Sequence, residues 1–168
     1  MMRRMPIATV LLLSTLFMHQ AWASQYERER TVDGFHLLEL REDSGSDPLF
    51  TIERIDYVAV GSGQLKVYVN AESRDAIRAA LDAGSLTAEL SDGQGSTPVT
   101  LTLTQECRCS GSSEGAGSAY AGQSCEERCG DAGVEEEHYY FRIFTSLASG
   151  TDLAIGLEPT QLWLIERQ

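Results

Sequence analysis

The chain has 168 residues, a formal net charge of −12 and four cysteines. A charge balance this acidic repels nucleic acid and anionic membrane surfaces, so neither is an expected partner. The length suits one domain with a substantial core.

The N-terminus reads as a secretory signal peptide over residues 1–23. Arg3 and Arg4 supply the positive charge, residues 7–18 the apolar run, and Ala21-Trp22-Ala23 the small-x-small cleavage site. The apolar run is too short to span a bilayer, which takes about 20 residues. No second run is long enough, so no stable membrane insertion of the mature chain is expected. Cleavage near Ala23 leaves residues 24–168 as a single β-rich domain, placed in the periplasm or secreted. The single lysine, Lys66, stands against twelve arginines, a bias that fits a GC-rich bacterial genome.

Residues 24–30 are polar and predict a frayed or edge-lying start. Residues 35–41 read as a strand, and residues 43–48 as a loop of turn formers. Residues 49–60 are rich in β-branched and aromatic side chains. Phe50 and Ile52 share one parity; Ile55, Tyr57 and Ala59 share the other. That slip predicts a bulge near Arg54. Gly61, Ser62 and Gly63 form a hairpin-type loop, and residues 64–70 alternate with Leu65, Val67 and Val69 on one face.

Residues 71–83 predict the one clear helix. Ile77, Ala80 and Leu81 make a narrow stripe, Glu72 sits at the start and Gly84 at the end. Residues 86–90 return to strand parity, and 92–96 form a turn. Residues 98–109 read as one strand, with Val99, Leu101 and Leu103 on one face. Counting on by twos passes Gln105 and reaches Cys107 and Cys109, so both thiols point towards the core. Residues 110–124 are a Gly/Ser/Ala loop containing Tyr120, which cannot bury enough to order itself. Residues 131–137 read as an acidic loop and 138–145 as a strand. Leu153, Ile155 and Leu157 mark another strand. Glu158 and Pro159 mark a turn, and residues 162–165, apolar on both faces, should be well buried. Seven or eight strands with one short helix predict a mainly β fold: an antiparallel β-sandwich or partly open barrel with a disulfide-clipped loop. An α+β domain is the alternative.

An export signal places Cys107, Cys109, Cys125 and Cys129 in an oxidising compartment, where disulfides are the default. Bonding Cys107 to Cys109 is disfavoured, since two strand residues lie about 6.6 Å apart, near the limit of disulfide reach. Ser124 and Glu127 form a Ser-x-x-Glu capping box and Gly130 a stop, so residues 125–129 predict one helical turn. That turn rises about 6 Å, matching the strand pair, so the two can be stapled twice. The arrangement resembles the local cysteine-stabilised αβ motif of defensins and scorpion toxins, which staple a helical Cys-x-x-x-Cys to a strand Cys-x-Cys. Here the order is inverted and the likeness ends at Cys129, so it carries no activity. An antiparallel turn gives the nested set, Cys107–Cys129 with Cys109–Cys125. A parallel turn gives Cys107–Cys125 with Cys109–Cys129. A simple reversal through the loop favours nesting.

Four thiolates holding zinc or copper(I) are the metal alternative, although the usual Cys-x-x-Cys spacing is absent. Glu135, Glu136, Glu137 and His138 suggest an acid/base or metal cluster. Consecutive residues point apart, however, and read better as a solvated acidic loop. Nothing pairs His36 with His138, and Glu42, Asp43 and Asp47 lack the order of a calcium loop. No nucleophile elbow, zinc-protease motif or phosphate loop is present. No catalytic, metal or cofactor residue is assigned, and no cofactor is expected. The leading expectation is a non-enzymatic binding or structural module of the bacterial cell envelope, with an unknown protein partner. A secreted hydrolase with its site in strand-end loops is the alternative.

Overall fold

The computed structural model describes residues 26–42, 47–58, 63–70, 72, 74–111, 117–118, 123–145, 147–148, 150–158 and 160–168. The expected signal peptide, Asp43, Pro159, Tyr120 and most of the 110–124 loop lie outside these residues.

Eleven described strands form two antiparallel sheets packed as a sandwich, without a closed barrel. The six-stranded sheet holds, in chain order, β1 (Tyr26–Val32), β2 (Phe35–Arg41), β5 (Leu86–Ser91), β6 (Ser96–Val99), β10 (Asp152–Leu157) and β11 (Gln161–Arg167). Its spatial order is β1-β2-β11-β10-β5-β6. The five-stranded sheet holds β3 (Ile52–Val58), β4 (Gln64–Val69), β7 (Thr102–Cys109), β8 (Gly117–Ser118) and β9 (Val134–Ile143), ordered β3-β4-β9-β7-β8. Two short α-helices, α1 (Arg74–Asp82) and α2 (Cys125–Cys129), and a 3-10 turn at Gly130–Ala132 complete the described elements.

Strand alternation builds the core. Leu37, Leu153, Ile155, Trp163 and Ile165 enter from one sheet; Ile52, Leu65, Val67, Phe141 and Ile143 enter from the other. Phe50 stacks on Trp163 with centroids 4.0 Å apart and meets Phe141 edge-on. The bulge in β3 lies where the parity slip puts it, with the β3–β4 register shifting between Ile52 and Arg54. Asp33 and Gly34 turn β1 into β2 with positive φ at both positions, and the Asp33 carboxylate accepts from the Ile55 N–H at 2.8 Å. That bond ties the hairpin of one sheet to a strand of the other.

The structure corrects several expectations. Of the two expectations for the start of the domain, frayed or edge-lying, the second holds: it is a seven-residue edge strand, β1, paired along the whole of β2. Residues 98–109 are two strands rather than one. β6 ends at Val99 and pairs with β5; after Thr100 and Leu101 the chain enters the other sheet as β7. Uniform parity hid this switch, because Val99, Leu101 and Leu103 all pack against the core from the sandwich edge. The helix begins at Arg74, later than expected, and it buries only Ile77 fully. Its end is as expected: Gly84 has φ 70° and its N–H donates to the Leu81 carbonyl. Of the expected acidic loop over residues 131–137, Glu135, Glu136 and Glu137 belong to β9 instead. In β11 only Gln161, Trp163 and Ile165 are buried; Leu162 and Leu164 face outward and are half-buried.

Candidate functional site: the stapled end of the five-stranded sheet

β7 carries the site. Its inward parity is Leu103, Gln105, Cys107 and Cys109, and its outward parity Thr102, Thr104, Glu106 and Arg108. Cys107 is buried, as are Cys125 and Cys129 of α2, while Cys109 is half-buried. With Val134 these four make a small apolar cluster separate from the main core.

The capping box forms as the sequence predicts. Glu127 N–H donates to Ser124 Oγ at 3.2 Å, and Ser124 N–H donates to the Glu127 carboxylate at 2.9 Å. Gly130, with φ 52°, closes the turn. The disulfides are Cys107–Cys125 and Cys109–Cys129, with Cα separations of 5.6 and 5.2 Å. This is the parallel set and corrects the nested one. The chain reverses twice after β7, not once. β8 runs back beside β7, with Gly117 opposite Cys107 and Ser118 opposite Glu106. α2 then runs forward again, and it must, because β9 starts opposite Cys109 at Val134. A nested clip would deliver the chain to the wrong end of β7. With all four sulfurs in S–S bonds, none is left as a thiolate ligand. Among the described residues no three His, Cys, Asp or Glu side chains converge to hold a metal.

Below the clip, inside the sandwich, lies a polar knot. Arg74 Nη1 and Gln105 Nε2 each donate to the Tyr139 hydroxyl at 3.0 Å. Tyr139 and Gln105 both donate to Glu137 Oε1. Burial raises the Tyr139 phenol, the neighbouring Glu137 adds to that, and Arg74 opposes it.

The outward face of the same strands carries an aromatic and charged layer. Tyr68 and Tyr140 lie side by side and are buried, because cations cover them. The Arg54 guanidinium sits 3.8 Å from the Tyr68 ring centre, and Lys66 Nζ sits 4.8 Å from that of Tyr140. Tyr68 donates to Glu106 at 3.2 Å, with Lys66 3.9 Å from the same carboxylate. Arg142 donates to the Tyr140 hydroxyl at 2.8 Å.

The acidic run behaves as strand geometry requires. Glu137 turns inward to the knot. Glu136 faces out, bridged by Arg108 at 3.6 Å and His138 at 3.5 Å, and Arg108 also reaches Glu135 at 4.0 Å. The four residues do not converge. His36 lies on the other sheet, 3.9 Å from Glu29. Glu42 and Asp47 are exposed. Sequence reading missed both the knot and the aromatic layer. Their members alternate correctly within each strand, but they meet only through the β3-β4-β9-β7 order. A search against protein-family models, curated proteins and solved structures finds no match to this chain.

Proposed function

We propose that this protein is an exported, non-enzymatic binding module of the bacterial cell envelope. The carrying observation is the double staple. Two disulfides bind a single helical turn to β7, and between them the chain returns to the sheet edge as β8. Closing loops of this size restricts the unfolded chain by about 3 kcal/mol per bond. That stabilisation fixes both ends of a Gly/Ser-rich segment, which suits display of a recognition loop beside the outward face of β7. The leader pattern and the pairing of every cysteine support an oxidising destination. Among the described residues no helix is long and apolar enough to cross a membrane.

The test is expression of the full chain in a bacterium with a photoreactive residue replacing Ser118. The expected result is a processed protein in the periplasmic fraction and a discrete cross-linked partner, lost when Cys109 and Cys129 are both changed to serine. Retention in the cytoplasm, or turnover of ester, glycoside or peptide substrates by the purified protein, would overturn it.

A further inference from the structure

The six-stranded sheet has its own unusual surface, on the face away from the core. β2 and β11 pair with Leu38 opposite Leu164 and Leu40 opposite Leu162. These four leucines share one side, half-buried, and none belongs to the core. Ala154 and Gly156 of β10 continue the two rows. Gly156 leaves a gap: a Cβ there would lie 3.7 Å from Leu162 Cδ1. Beside it is a depression of about 230 Å³, lined by Thr87, Glu89, Ala154, Gly156, Glu158 and Leu162.

The rim is acidic, with the His36 imidazole beside Glu29. Glu27 lies opposite Leu40 and Glu29 opposite Leu38. Glu89 lies opposite Ala154, and Asp152 opposite both Ser91 and Glu166. The outward positions of β1, β2, β11, β10 and β5 hold no lysine or arginine. The other sheet differs, since its outward carboxylates sit beside Arg54, Lys66 and Arg108. A solvated strand face normally alternates apolar-in and polar-out. An apolar block with a polar rim on the open face marks a protein contact surface.

We infer that this face docks a cationic amphipathic segment of a partner protein. Its apolar side chains cover Leu38, Leu40, Leu162 and Leu164, and its lysines or arginines meet Glu27, Glu29, Glu89 and Asp152. A second copy of this chain would bring the same acidic rim against itself, and an anionic lipid surface is repelled. The inference deepens the binding-module reading and rests on it for the existence of a partner, but it uses a different surface from the stapled loop.

The test uses the full oxidised chain and three probes. They are an amphipathic peptide with leucine on one face and lysine on the other, its leucine/glutamate counterpart, and phosphatidylglycerol vesicles. Binding of the lysine peptide alone is expected. It should weaken about tenfold or more in Leu38→Thr/Leu164→Thr, since each lost apolar contact is worth a large part of a decade in affinity. Glu27→Gln/Glu29→Gln/Glu89→Gln, which leaves the leucines in place, should flatten the salt dependence. Gly156→Val fills the depression without removing a leucine and should also weaken binding. Lysine-peptide binding unchanged in all three variants would overturn the inference. So would equal binding of the glutamate peptide, binding to the vesicles, or a dimer in light scattering that Leu38→Thr dissolves. Loss of export or discovery of turnover would sink the module reading instead, and neither is read by these probes.

Discussion

Single residues show which polar groups the fold can keep inside. Glu39 and Arg41 take the inward parity of β2 and are buried, 3.2 Å apart, with the Arg41 guanidinium 4.0 Å from the Tyr26 ring centre. Removing one partner of a buried pair strands a charge, whereas replacing both with apolar groups restores a neutral core. Glu39→Leu should therefore cost about 3–5 kcal/mol in urea unfolding. Glu39→Leu/Arg41→Met should recover most of that loss. Tyr68 makes a pH prediction. Burial, joined by the Glu106 charge and opposed by Arg54, pushes its phenol up to about 12 from the ordinary 10.0. Between those values the unfolded chain loses the proton first. The contribution is whole below pH 10 and disappears as the pH rises through about 12. Stability followed from pH 9 to about 12 should fall, and Tyr68→Phe should lessen the fall.

At the scale of elements, legibility follows range of interaction. The bulge near Arg54, the Ser124/Glu127 capping box and the inward aim of Cys107 and Cys109 are set by a few adjacent residues, and all three stand in the structure. The pairing of the cysteines is set by where β9 begins, which no local pattern reveals. β8, two residues long, carries no periodicity to read, yet it supplies the extra reversal that makes α2 parallel to β7. Neither native bond joins near neighbours, and this has a kinetic consequence. In the unfolded chain no strand holds Cys107 and Cys109 apart, so they are close partners by sequence, and exchange must undo any such pair. Refolding of the reduced chain in air should accumulate mispaired species. Added disulfide isomerase should raise the native yield several-fold, as resolved by non-reducing peptide mass mapping. Equal yields without isomerase would contradict this trapping by neighbouring cysteines.

For the whole molecule, each of the four edges of the described sheets carries a feature that opposes pairing with another copy. β1 presents Glu27, Arg28 and Glu29, all exposed. β6 is four residues long and contains Pro98, which has no N–H to offer. β3 is bulged and carries an Arg54–Asp56 ion pair on its outward face. β8 is two residues long and adjoins the stapled strand. Charge, proline, bulges and short length are the usual protections of an edge. The purified protein should thus remain monomeric by light scattering across concentration, while Pro98→Val should begin to associate. The binding proposed above would then use faces and the stapled loop rather than strand addition.

Two things are central: the staple, and the oxidising compartment proposed to form it. Non-reducing peptide mapping with N-terminal sequencing, on protein recovered from the bacterial envelope, tests both together. The prediction is a chain starting at Ser24 with bonds Cys107–Cys125 and Cys109–Cys129 and no free thiol. An unprocessed chain with four titrating thiols, or the nested pairs Cys107–Cys129 and Cys109–Cys125, would contradict it.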